Sequence, residues 1–500
     1  MKESLEFIYK QQKELSVFGG IASLLGWDQM TYMPQGGAED RSEHISLIST
    51  LAHEKVISDT FWKHIEKLTN NIESLSEKDQ IVIKRLRKDV ENSRKIPSEF
   101  VEKLSKTTTI AYPAWQKARE RANYSLFSAH LKRIVDLQKE YCEYINLPGH
   151  SYNSLLDGFE EGMTVKKLKP ELSFLKNELV KIINKIKESK CYKNQKKYDF
   201  TFDKEKQKKL CNFLIKKMNI SDIRARYDVS THPFTTQIGY DDVRITTNFE
   251  RSDPLFSFFS TVHEAGHALY DLNILKGEFK DTVISDAASV GLHESQSRFW
   301  ENMIAHSYDF WKFFYPYFQK NFSDYLNKIS LDDWYFYINR VGLNPIRIEA
   351  DELTYSLHVI LRFELELDLI TDEIKVEELS NHWNEKMNNL LDITPRNDKE
   401  GVLQDMHWST GQFGYFPTYI IGSIYSSQLF NALSKQNTNI KSDIQNGNFE
   451  KILKWLIENV HKHGRLLNAD EIIKKSCGEG LNSKIFIDYL KNKFFEIYQV

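Results

Sequence analysis

Leu255-Phe256-Ser257-Phe258-Phe259-Ser260-Thr261-Val262-His263-Glu264-Ala265-Gly266-His267-Ala268-Leu269-Tyr270-Asp271-Leu272 sets a His-Glu-x-x-His string inside an apolar run. Phe258, Val262, Ala265, Leu269 and Leu272 recur at helical spacing and predict a helix with one buried face. Gly266 lacks a side chain where another backbone or a metal can approach. Two histidines four apart on a helix project from one face about one turn apart, so both imidazoles can bind one tetrahedral zinc. Glu264, the neighbour of the first, can reach a water at that metal without being a ligand. Zinc lowers the pKa of such a water to about 7, and a carboxylate that takes its proton makes it a nucleophile able to attack a peptide carbonyl. The string also arises by chance, so its surroundings must decide.

A catalytic zinc keeps three protein ligands and leaves a fourth position to water, which requires a further residue. The metzincin continuation is excluded, because Tyr270 and Asn273 stand where its Gly and His would be. Downstream, Leu292-His293-Glu294-Ser295-Gln296-Ser297-Arg298-Phe299-Trp300-Glu301 follows Ser285-Asp286-Ala287-Ala288-Ser289, which offers N-cap residues. A second helix is therefore predicted to pack on the first. Glu294 and Glu301 fall two turns apart on one face; either can reach a metal, and spacing does not choose. Arg298, four residues after Glu294, is equally placed for an ordinary surface ion pair.

From Asn344-Pro345 the sequence predicts a third helix, with Asn as cap and Pro in the first turn. On it Arg347, Asp351, Thr354, Tyr355, His358 and Arg362 share about a quarter of the circumference, opposite Ile346, Ala350, Leu353, Leu357 and Ile360. Such a stripe reads as the wall of a wet groove. Arginine is a natural anchor for a free carboxylate, because its planar fork makes two parallel charge-assisted hydrogen bonds, so Arg347 is a candidate for holding a peptide C-terminus. Gly401 to Ser409 leads through Gly411 and Gly414 to Tyr415-Phe416-Pro417-Thr418-Tyr419. A loop of this kind can aim His407 and a tyrosine at an oxygen that becomes negative, with Asp405 orienting His407. Asp241 to Thr247 alternates like a strand whose exposed edge could pair with an extended peptide.

Composition supports one mostly helical body over 1–500. The 500 residues are 41% hydrophobic, with 11 prolines and 21 glycines scattered and no clean linker. The net charge of -3 argues against a nucleic-acid partner. The lysines from Lys166 to Lys217 are interleaved with Glu171, Glu178, Glu188, Asp199 and Asp203, as on a solvated helical surface. Cys142, Cys191, Cys211 and Cys477 match no zinc-ribbon or redox spacing and read as reduced, packed side chains. The start Met1-Lys2-Glu3-Ser4-Leu5-Glu6 does not resemble a signal peptide, and no apolar stretch is long enough to span a membrane. A soluble, cytoplasmic protein without membrane partners is expected.

The chain resembles the carboxypeptidase Taq family, the thermostable carboxypeptidase 1 type of zinc metallocarboxypeptidase. The resemblance runs through Trp27-Asp28-Gln29, Met33-Pro34, Leu155-Leu156-Asp157, Glu160-Glu161-Gly162-Met163 and His232-Pro233-Phe234. It continues through Asp242-x-Arg244-x-Thr246, the His-Glu-x-x-His string, His293-Glu294-Ser295-Gln296, Ile346-Arg347-x-x-Ala350-Asp351 and Gly401-x-x-Gln404-Asp405-x-His407-Trp408. It implies a mainly α fold: a two-lobed helical body with a deep active-site groove and a short antiparallel β-sheet near the zinc, as in neurolysin and angiotensin-converting enzyme. It implies homodimers that remove single C-terminal residues from peptides with broad specificity, commonly sparing proline. His263, His267 and Glu294 would be the zinc ligands, Glu264 the general base, and Arg347 the binder of the terminal carboxylate. His407 with Tyr415 or Tyr419 would donate to substrate or oxyanion, and Arg244 and Asp351 lie in substrate-side motifs. Cobalt is an alternative metal, since it suits the same ligands. An endo-oligopeptidase using the same site is the competing activity. One departure, Glu160-Glu161 where relatives often have Glu-Pro, puts a turn in doubt.

Overall fold

A computed structural model describes residues 1–196, 198–250 and 254–500. Helices dominate, in keeping with the expected mainly α class. Their starts are set by side-chain caps: Ser58, Ser76, Thr164, Asp203, Ser289, Ser307 and Ser330 each accept from a backbone N–H in the first turn. In Val165–Glu188 the buried face is Leu168, Leu172, Leu175, Leu179, Ile182 and Ile186. Lys166, Lys167 and Lys169 point to solvent, as the interleaved charges predicted. Each such leucine or isoleucine contributes about 1.5–3 kcal/mol through burial, which outweighs the few tenths of a surface ion pair.

Two cores form. The N-terminal helices Lys2–Thr31, Asp59–Thr69 and Glu77–Lys95 close over Ile8, Phe61, Ile65, Leu68, Ile83, Leu86 and Val90. The larger core gathers the helices from Ser125–Ile145 to Ser483–Tyr498, including the aromatic cluster Phe258, Trp311, Phe314, Phe318 and Trp334. A cavity of about 570 Å³ lies between them, with Arg85, Lys88 and Asp89 on the N-terminal side and His267, Glu294, Tyr415 and Tyr419 on the other.

The sheet is mixed, not wholly antiparallel. Strands β1 (Ala225–Val229), β2 (Thr235–Gly239) and β3 (Asp242–Thr247) lie in the order β1-β3-β2. β2 and β3 form the antiparallel hairpin, while β1 runs parallel to β3 with Arg226 opposite Arg244. The chain leaving β1 crosses to the far edge before β3 returns through the middle, which forces that pairing. The predicted strand, β3, is therefore central and offers no free edge. β2 is an edge strand, but Lys2–Thr31 packs on it: a Cβ on Gly20 would lie 2.5 Å from the Ile238 carbonyl oxygen.

Candidate active site

The His-Glu helix, Pro254–Asn273, crosses Val290–Arg298 at a contact only glycine permits. A Cβ on Gly266 would sit 2.7 Å from the Gln296 carbonyl oxygen and from Ser297 Cα. On the far side Phe416–Gln436 approaches equally closely, with a Gly422 Cβ position 2.6 Å from Glu294 Cγ. Three helices thus clamp Glu294 against the two histidines. Ser289 fixes the start of the second helix by accepting from Leu292 N at 2.9 Å. Beneath it Glu160, buried, accepts from Ser289 Oγ at 2.9 Å and from Gly291 N at 3.0 Å. Burial pushes the Glu160 carboxyl up to about 8, with those two donors pulling against it. Its neighbour Glu161 pairs with Arg85 and Lys88, so the Glu160-Glu161 departure is accommodated by one buried cap and one ion-pair cluster.

One nitrogen from each of His263 and His267 and one Glu294 oxygen lie within 4.8 Å of one another. His263 Nε2 is 3.6 Å and His267 Nε2 3.4 Å from Glu294 Oε2. Tetrahedral ligands on bonds of about 2.1 Å stand about 3.4 Å apart, so these separations suit a metal of zinc's size. Glu301, the alternative by spacing, is not in this group: its Oε2 is 2.7 Å from His263 Nδ1. The α-helix gives way to a π-helical segment at Phe299–Ala305, and Glu301 lies within it. Arg298 does pair with Glu294, Nε to Oε1 at 2.7 Å, and its Nη1 is 3.4 Å from Glu301, but the pair is buried instead of lying on the surface.

Charge also calls for a cation. Glu294 and Glu301 pair with Arg298, and with Glu264 they act on His263, so a divalent ion at the histidines would meet compensating carboxylates. Burial disfavours charge on His263, yet Glu294 and Glu301 outweigh it and hold its pKa up at about 9. Glu264 has a place of its own: Thr235 Oγ1 on β2 lies 2.8 Å from both its Oε2 and its carbonyl oxygen. That contact aims the carboxylate and had no signal in the sequence.

The substrate-side residues fold differently from the expected third helix. Ile346 is extended, Arg347–Glu349 make one 3-10 turn, Ala350 is extended again, and the helix starts only at Tyr355–Ile370. Asp351 is what delays it. Its Oδ1 accepts from Leu353 N and Thr354 N and its Oδ2 from Gly342 N and Thr354 Oγ1, so it caps the chain entering that helix. The stripe is also dry: His358 and Arg362 are both 0% exposed. Asp405 does not orient His407. It binds Arg347 through Nε and Nη2 at 3.0 and 2.9 Å and Arg362 through Nε at 2.6 Å. Two buried guanidiniums therefore share the Asp405 carboxylate, and Arg362 also acts on the buried Glu366. Burial lowers the Arg362 pKa to about 10. Arg347 Nη1 also donates to Tyr355 Oη at 3.0 Å, and the Tyr355 ring lies under Arg298, 4.6 Å from its Cζ. This links the arginine pair to the metal-site helix.

His407 sits beside them with Nε2 3.1 Å from Tyr419 Oη, and its Nδ1 has no partner among the described residues. Burial, with Arg347 and Arg362 adding to it against Asp405, holds its pKa down at about 4, so the ring is neutral near pH 7. Tyr415 and Tyr419 both line the cavity with Glu294. Burial pushes the Tyr415 hydroxyl up to about 12 and Tyr419 higher, so both keep the proton they would donate. Glu366, buried below, accepts from Tyr152 Oη, Trp408 Nε1 and Gly414 N and holds the His407 loop in place. Arg244 stands apart: its Nη2 is 2.9 Å from Asp242 Oδ2 and its Cζ 4.6 Å over the Trp27 ring.

Residues 7–494 match the carboxypeptidase Taq (M32) metallopeptidase family. The chain belongs to it. Among relatives, carboxypeptidase 1 of Bacillus subtilis is 37% identical over 490 residues, 97% of each chain. Thermostable carboxypeptidase 1 of Pyrococcus furiosus is 35% identical over 494 residues, 98% of each. An M32 carboxypeptidase structure from Deinococcus radiodurans R1 superposes with a TM-score of 0.95 at 32% identity, covering 100% of both chains. As an M32 protein the chain is a metallocarboxypeptidase, a peptide hydrolase, and the His263, His267 and Glu294 cluster is its candidate metal site. Among the described residues, no helix is long and apolar enough to cross a membrane.

Proposed function

We propose that this M32 enzyme uses one zinc ion, with cobalt as a competent substitute, to release single C-terminal residues from peptides of broad sequence. His263, His267 and Glu294 would hold the ion. When bound, it would polarise the scissile carbonyl and bring the pKa of a water towards neutrality. Glu264, aimed by Thr235, takes the proton of the attacking water and returns it to the leaving amine, with no covalent enzyme intermediate. Tyr415, or Tyr419 with the neutral His407, donates to the oxygen that becomes negative.

The observation that carries the exopeptidase reading is the pair of buried guanidiniums, Arg347 and Arg362, gathered around Asp405. A substrate's terminal carboxylate would bind beside this pair, with Arg347 presenting the fork. Arg244, held by Asp242 and over the Trp27 ring, would border the path of the peptide. A homodimer completes the proposal on the strength of family resemblance; four unpaired cysteines support a cytoplasmic setting. Nucleic acids and membranes are not partners in this reading. Matched peptides, one with a free C-terminus and one amidated, test it by mass spectrometry. Stepwise shortening of the free acid alone is expected; equal cleavage of both would favour an endo-oligopeptidase.

A further inference from the structure

His293 opens a sequence signature, yet neither metal binding nor base catalysis uses it. In the structure its ring stacks beside that of His267, centroids 4.6 Å apart, with the two Nδ1 atoms 2.5 Å from each other. Its Nε2 is 2.8 Å from Asp271 Oδ1. Asp271 itself lies four residues after His267 on the same helix, so one helical turn carries both the ligand and the anchor of its supporting residue.

With a neutral ring, the His293 proton sits on Nε2, facing an Asp271 oxygen that can only accept, and Nδ1 presents a lone pair. Two ring nitrogens in contact need one proton between them, and that proton then belongs to His267 Nδ1. His267 Nε2, the atom that faces Glu294 at 3.4 Å, is left unprotonated. On the other ligand, Glu301 accepts from His263 Nδ1 at 2.7 Å and does the same in one step.

We infer that Asp271 and His293 are positioning residues that set the tautomer and ring orientation of His267 for the metal. This rests on the proposed ligand set. The expected consequence is a metal affinity about 10- to 100-fold weaker when the support is removed. Zinc dissociation constants would be measured by chelator competition for wild type, Asp271→Ala, His293→Leu and His293→Asn, with melting of each metal-free protein as a control. Weakened binding is expected for Asp271→Ala and His293→Leu, and near-normal binding for His293→Asn, whose amide oxygen can accept where Nδ1 did. Affinities unchanged in both truncated variants, or losses confined to the metal-free melting temperature, would overturn the inference. Nitrogen-15 NMR of the wild type provides a test that needs no variant: a proton on His267 Nδ1 is expected, and one on Nε2 in the zinc-loaded protein refutes it. A wild type that binds no zinc is a different result, which sinks the ligand set itself.

Discussion

Replacing Gly422 by alanine should damage the metal site without touching any ligand. The new Cβ would lie 2.6 Å from Glu294 Cγ and 2.8 Å from Glu294 Cβ, whereas carbon atoms pack best about 3.5–4.0 Å apart. The contact falls in the middle of Phe416–Gln436 and its target is on a helix wedged from the other side at Gly266, so neither backbone can retreat freely. Glu294 must move by about 1 Å, several times the roughly 0.2 Å tolerance of a metal bond. Alanine gains about 1 kcal/mol in helix propensity over glycine, against overpacking costs of about 1–3 kcal/mol. Net stability therefore falls by about 0–2 kcal/mol while the strain falls on the ligand. Zinc affinity should drop about tenfold or more, since 1.4 kcal/mol is a factor of about 10. Chelator competition and metal-free thermal melting measure the two quantities separately. Wild-type zinc affinity in Gly422→Ala would refute the packing argument.

Glu264→Gln should retain its metal while kcat falls about 10²- to 10⁴-fold, read by steady-state kinetics beside elemental analysis. Arg347→Ala should lose about 1.5–3 kcal/mol of charged hydrogen bonding, or about 10- to 150-fold in kcat/KM, on free-acid peptides, measured by steady-state kinetics. The Glu160 carboxyl, 4.5 when solvated and about 8 in the fold, keeps a proton that the unfolded chain releases between those values. Stability should therefore fall as pH rises through that window, and Glu160→Gln should flatten the dependence in melting curves.

Much of this site could be read from residue order because its chemistry is local. Two histidines and a glutamate on one turn, and a capped helix carrying Glu294, depend on spacing that a single helix preserves. The choice between Glu294 and Glu301 was not legible from spacing, since it rests on which ring nitrogen each carboxylate meets across two helices. The predicted helix at Asn344 failed for a comparable reason: Asp351 captures the N–H groups that would have begun it, and Arg347 is drawn to Asp405, 58 positions away. Thr235 on Glu264 and His293 on His267 are likewise contacts between elements. Asp271 was the exception, standing four residues after His267 on the same face.

Titration of the metal-free protein with zinc, followed by calorimetry, tests the centre of this account most directly. One ion per chain is expected for wild type, with the tight site lost in His263→Ala, His267→Ala and Glu294→Ala and kept in Glu301→Gln. No stoichiometric binding by wild type, or a tight site that survives loss of Glu294, would contradict it.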